Sequence, residues 1–129
     1  MARTDAAALE HLNTVERQCV LRYVDLLRQP LGPRLREVYL CGSFARGDAC
    51  PPASPMHSDV DLLVWCSDQP SPGEIEDLVN ATYPLYLECG RQLSPQFRTR
   101  ASLESPTTPV GRAFLEAFCH EGRLLFVAE

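Results

Sequence analysis

Residues 58–66, Ser-Asp-Val-Asp-Leu-Leu-Val-Trp-Cys, place the tightest limit on what this chain can fold into. Read as a strand of period two, one face carries Asp59, Asp61, Leu63 and Trp65, and the other Val60, Leu62, Val64 and Cys66. A strand that is apolar on both faces is buried on both, as in an α/β sheet. Its two aspartates then belong at the start, where the strand emerges from the core. Side chains at i and i+2 leave the same face roughly 6–7 Å apart along the chain. Two carboxylates so placed can converge on one hard cation that prefers oxygen ligands. With no cation, the two carboxylates repel. A solvated Asp-x-Asp at a strand entry is the plainer alternative.

The segment upstream bears on that choice. Val38-Tyr39-Leu40-Cys41 reads as a buried strand, followed at once by Gly42-Ser43-Phe44-Ala45-Arg46. Gly42 lets the backbone approach a ligand closely, and Ser43 is a good cap for a short helix. Free N–H groups at a helix start favour an anion such as a triphosphate. The spacing from Gly42 to Gly47 superficially matches the phosphate loop of P-loop NTPases. That motif continues with Lys and Ser/Thr, whereas Asp48 and Ala49 follow here, so a P-loop is excluded.

A strand, a Gly-Ser turn, a short helix and a strand opening on Asp-x-Asp together resemble the DNA polymerase β-like nucleotidyltransferases. The likeness is to their minimal nucleotidyltransferase (MNT) domains in particular. It is carried by Leu40, Gly42, Ser43, Ala45-Arg46-Gly47-Asp48 and Ser58-Asp59-Val60-Asp61-Leu62-Leu63-Val64. The resemblance implies an α/β (α+β) fold, a small mixed β-sheet packed with helices. It implies that Gly42 and Ser43 cradle the β- and γ-phosphates of ATP or another NTP, with Arg46 within reach of a phosphate. It also implies that Asp59 and Asp61 are the catalytic pair and hold Mg²⁺ or Mn²⁺. The implied reaction moves an NMP group, AMP from ATP, onto an acceptor hydroxyl and releases pyrophosphate. Stand-alone MNT domains of this size often act as antitoxins, and the implied acceptor is a HEPN-type ribonuclease toxin or the second chain of a homodimer.

Two features depart from the family pattern. Residues 44–58 form a longer spacer between the motif halves, stiffened at 50–57 by Pro51, Pro52 and Pro55, and it reads as a surface loop or a wall beside the nucleotide. The family also usually places a third carboxylate on the next strand, expected here at 93–100. That strand has no acid; Gln96 or Arg98 occupies the neighbourhood, with Ser94 or Arg98 the equivalent if the register differs by a pleat. A neutral amide is no strong base at neutral pH. The alternative reading is therefore a catalytically weak or inactive module that binds nucleotide and caps a partner.

The remaining segments are expected to form one domain over residues 1–129, long enough to bury a core without disulfides. A helix is expected from Asp5 to Arg28, with Leu9, Leu12, Cys19, Val20, Tyr23, Val24 and Leu27 as its core stripe, stopped by Pro30-Leu31-Gly32-Pro33. Ser71-Pro72 opens a second helix, interrupted at Pro84 and ended by Gly90. Another is expected from Thr108 with Val110, Phe114, Ala117 and Phe118 inward, followed by an apolar strand or extended tail at 123–127. The six cysteines lack Cys-x-x-Cys spacing and read as free core thiols. All twelve basic residues are arginine, and the net charge of −5 argues against non-specific nucleic-acid binding. No apolar run marks a signal peptide or membrane span, so a cytoplasmic location without membrane contact is expected.

Overall fold

A computed structural model of the chain describes residues 2–47, 59–99 and 122–128. The proline-rich loop at 50–57 and the helix expected from Thr108 lie outside the described residues. Among the described residues, five strands form one mixed sheet, in the order β1 (Arg3–Thr4), β5 (Arg123–Val127), β2 (Leu35–Cys41), β3 (Val60–Cys66), β4 (Leu93–Thr99). β3 lies inside it, antiparallel to β2 and parallel to β4. Every residue of β3 except Asp61 is buried, as its two apolar faces require.

The apolar segment at 123–127 is an interior strand rather than a tail, seated between β1 and β2 and antiparallel to both. Its pairing with β2 slips between Val38 and Tyr39. The slip leaves Leu125 unopposed, and Leu125 and Phe126 both enter the main core.

The first helix is shorter than its apolar stripe suggests. A 3₁₀ turn covers Ala6–Leu9, and α1 runs from Thr14 to Leu31. The break has a local cause. Asn13 Oδ1 accepts from the Glu16 amide at 2.8 Å, while Glu16 Oε1 accepts from the Asn13 amide at 2.9 Å, a reciprocal cap that begins a helix there. Leu9 and Leu12 stay in the core from the preceding turn. At the far end Pro30 sits in the last turn and Gly32, at φ 53°, closes the helix.

The second helical segment divides into α3 (Pro72–Asn80) and α4 (Thr82–Cys89), parting at Ala81 rather than at Pro84. A proline ring clashes with the carbonyl four residues earlier, here Asn80, so the chain yields upstream of Pro84. Pro84 then occupies the first turn of α4, where its missing N–H costs nothing. Gly90, at φ 73°, ends α4 as expected.

Residues Val20, Tyr23, Val24 and Leu27 of α1 pack with Leu78 of α3 and Leu85 of α4 against Val38, Leu40, Val60, Leu62, Val64 and Phe97 of the sheet. Tyr23 donates its hydroxyl to the Leu78 carbonyl at 2.7 Å, and burial pushes its phenol pKa up. The opposite sheet face carries a smaller cluster, Leu63 and Trp65 with Tyr39 and Cys41 beside them. Among the described residues, Cys19 and Cys66 are buried thiols, each with its pKa raised by desolvation to about 11; Cys41 and Cys89 are half-buried. No described helix is long and apolar enough to cross a membrane.

Candidate functional site

The second sheet face holds Asp61, one of the two aspartates that the motif singled out. In the register of β2, β3 and β4, Asp61 stands between Cys41 and Ser94, Leu63 between Tyr39 and Gln96, and Trp65 between Glu37 and Arg98. Residues directly opposite share a face. The face therefore runs from an acid at the start of β3 to a hydrophobic patch in its body. Asp59 lies just ahead of β3 and is exposed.

α2 (Gly42–Arg46) follows β2 without a loop, so the Gly-Ser turn begins directly beside Asp61, the partner of Cys41. Gly42 has φ +69°, a backbone region costly for any residue with a Cβ. Contact makes the requirement stricter. A Cβ at Gly42 would fall onto Asp61 Oδ2 and lie 3.3 Å from its Cγ. The backbone of one motif half is thus packed on the carboxylate of the other, although the two are separated along the chain. Ser43 and Arg46 lie in α2 by their backbone.

The aspartates are brought together through β4. Ser94 is the register neighbour of Asp61, and its hydroxyl donates to Asp59 Oδ2 at 3.4 Å. Both acids thus flank Ser94. The place on β4 beside the acid pair belongs to Ser94 and not to Gln96 or Arg98, because the parallel pairing begins at Val60 with Leu93. Gln96 is one pleat further on and exposed, and its Oε1 accepts from Arg98 Nη2 at 3.3 Å. Among the described residues, no group of three or more His, Cys, Asp or Glu side chains is placed to hold a metal ion. Two exposed carboxylates at the entry of one strand suit a divalent cation that keeps much of its water or takes further oxygens from a phosphate.

Sequence reasoning missed three neighbours of the site. His11 packs its ring against the exit of α2, where a Cβ on Gly47 (φ +87°) would come within 3.0 Å of it. Glu10 Oε1 meets His11 Nε2 at 3.3 Å and Arg123 Nη1 at 2.6 Å, tying that turn to β5; the arginine holds the Glu10 carboxyl below its usual range. Arg91, buried before β4, stacks its guanidinium on the Phe44 ring of α2 with 4.8 Å from Cζ to the centroid. None of the three lies in a motif; the place of Ser94 needed the register.

This sheet, with its Gly-Ser helix set against an acid-bearing interior strand, is a fold shared with known proteins. The chain is similar to solved structures of toxin–antitoxin proteins. One is a mutant form of the toxin–antitoxin MntA–HpeT, with TM-score 0.56 and 20% identity over 85% of this chain and 73% of the other. Another is a toxin–antitoxin with AMP-PNP, with TM-score 0.55 and 18% identity over 84% of this chain and 73% of that one. No protein-family model and no curated protein matches the sequence.

Proposed function

We propose that this domain is a divalent-metal-dependent nucleotidyltransferase that binds ATP or another NTP between α2 and the start of β3. It transfers the NMP group, AMP in the leading case, to a hydroxyl. The observation that carries this reading is the packing of the Gly42 backbone on the Asp61 carboxylate. A phosphate-facing turn and an acid pair serve a nucleotide only if they are adjacent. Asp59 and Asp61 would hold Mg²⁺ or Mn²⁺, which supplies charge neutralisation for the triphosphate. Gly42 and Ser43 would face the β- and γ-phosphates, and Arg46 would reach one of them. The acceptor oxygen attacks the α-phosphorus, the bond to the β-phosphate oxygen breaks, pyrophosphate leaves, and the hydroxyl proton passes to solvent. In this reading the acceptor is presented by a partner, a HEPN-type toxin or a second copy of the chain. Likeness to toxin–antitoxin folds, one of them with AMP-PNP, supports it.

One observation favours a second reading. Ser94 stands where an acid would complete the pair, and a serine hydroxyl is no base at neutral pH. A two-acid site of this kind would bind metal and nucleotide while transferring slowly or not at all, the protein acting by capping its partner. Thermal unfolding with ATP, with Mn²⁺ or Mg²⁺, and with both tests the shared premise. Saturation at about 100 times Kd should add roughly 2.7 kcal/mol with the pair together. No shift with any NTP–metal pair removes both readings. Labelled-nucleotide transfer to the purified partner then separates them: turnover selects the enzyme, and binding without turnover selects the capping module.

A further inference from the structure

The candidate site joins two segments, α2 and the entry to β3, and something must fix one against the other. Arg91 touches the supports of both. Its side chain is 6% exposed, and its Nε donates to Glu16 Oε2 at 2.7 Å in an equally buried ion pair. Glu16 is not free to move, because its other oxygen caps the Asn13 amide at the start of α1. The guanidinium so held lies on the ring of Phe44, which is 1% exposed and follows Ser43 directly. On the other side, Gln92, the residue after Arg91, accepts at its carbonyl from the Val60 amide at 2.8 Å. Val60 is the residue between Asp59 and Asp61.

A buried ion pair is weak evidence for stability, since well-packed apolar residues of the same volume often serve as well or better. Its distinctive property is direction. The Nε–carboxylate bond fixes the guanidinium plane, and that plane fixes the ring beneath it. We propose that Arg91 is a positioning residue for the candidate site. Anchored by Glu16, it sets α2 through Phe44 and sets the acid-bearing strand entry through the adjoining Gln92 carbonyl. The spacing between Gly42 and Asp61 follows from it. This rests on the nucleotide reading for its consequence, but the positioning itself is a property of the unliganded chain.

The test uses two variants of the full chain and two independent readouts. Glu16→Gln with Arg91→Met removes the ion pair while leaving an acceptor for the Asn13 amide and an apolar stem in place of the arginine. Phe44→Leu keeps the ion pair and removes only the ring. The readouts are hydrogen exchange of the 42–46 backbone without ligand, and titration with ATP and Mn²⁺. In both variants, exchange at 42–46 should quicken against an unchanged α1 core, and the nucleotide dissociation constant should rise by about tenfold or more, as for other residues that orient a binding shell. A folded double variant with wild-type exchange at 42–46 overturns the proposal; if that variant does not fold, Phe44→Leu decides by the same measure. Wild type that binds no nucleotide ends the nucleotide reading alone, and exchange at 42–46 still decides whether Arg91 positions the helix. Wild type that binds nucleotide, with both variants binding equally well, overturns the proposal and leaves the nucleotide reading intact.

Discussion

The two faces of β3 differ in what they ask of the sequence. On one, Val60, Leu62, Val64 and Cys66 join a continuous core with α1, α3 and α4. On the other, an exposed acid, Asp61, precedes the small Leu63–Trp65 cluster, with Ser94, Gln96 and Arg98 alongside. The first face is closed by packing and tolerates only shape-preserving change. The second leaves its strand entry open, and close contact there is made by backbone against carboxylate. On the proposed function, stability and chemistry are divided across a single strand, and substitutions on its two sides should separate them.

The largest effect is expected from the core side. Leu62→Ala deletes a side chain that is 1% exposed and should lower stability by about 2–5 kcal/mol in urea unfolding. Its neighbour Asp61→Asn, nearly isosteric and on the exposed side, should cost less than Leu62→Ala. Activity should invert the order. Asp61→Asn and Asp59→Asn should abolish metal-dependent nucleotide transfer, whereas Leu62→Ala should retain it at temperatures where it is folded. Wild-type transfer by both asparagine variants would place the chemistry elsewhere.

Gly42 makes the contrast sharper, because Gly90 supplies a matched control. Both adopt positive φ, +69° and +73°, so alanine at either should cost about 1–2 kcal/mol of backbone strain. At Gly90 nothing lies within 4 Å of the new Cβ, whereas at Gly42 it meets Asp61. Gly90→Ala should therefore lower Tm and leave ATP–Mn²⁺ affinity unchanged. Gly42→Ala should lower Tm at least as much and lose the affinity. Equal affinities in the two would mean that the Gly42–Asp61 contact has no part in binding.

These contrasts also mark where the sequence was legible. The alternation in 58–66 was enough to place β3 in the interior and to assign each face, because period two in a doubly buried strand leaves no other arrangement. The Gly-Ser turn and its nearness to the acids followed from the composite motif. Long-range pairing was not legible. Nothing local distinguishes 123–127 as an interior strand from a tail, and parallel register sets Ser94, not Gln96, beside Asp61. The break before α1 was readable in Asn13-Thr14-Val15-Glu16, a capping-box pattern hidden by the apolar stripe that spans it. Arg91 carried no signal, since a lone arginine before a strand is ordinarily solvated.

Register yields the next prediction, a smaller effect confined to the open face. Ser94→Asp adds a carboxylate directly beside Asp61 and should tighten Mn²⁺ binding by about tenfold, roughly 1.4 kcal/mol. Gln96→Glu places its charge one pleat away, about 7 Å along the strand and in solvent, and should tighten it by less. Calorimetric titration of Mn²⁺ into each variant checks the order. A reversed order would mean that the strand pairing is displaced by a pleat in solution.

The smallest effect belongs to the helix side and is read by pH. Glu74 in α3 accepts from Arg34 at 2.5 and 3.2 Å and from the Ser71 amide at 3.0 Å. The Arg34 hydrogen bonds, then the Ser71 backbone amide, lower its carboxyl pKa to about 2. A carboxyl depressed on folding binds its proton more readily in the unfolded chain. Its stabilising contribution is therefore complete above the ordinary value of 4.5 and lost as pH falls from there through about 2. Both partners are about a third exposed, so added salt should shrink the contribution. Glu74→Gln should accordingly have a lower Tm than wild type at pH 6, and the gap should close as pH approaches 2. Asp61→Asn, on the opposite face, should leave that gap unchanged when combined with Glu74→Gln, as expected for sites with no shared partner. If Asp61→Asn altered the acid closure of the gap, the two faces would be coupled, and the division of stability from chemistry across β3 would fail.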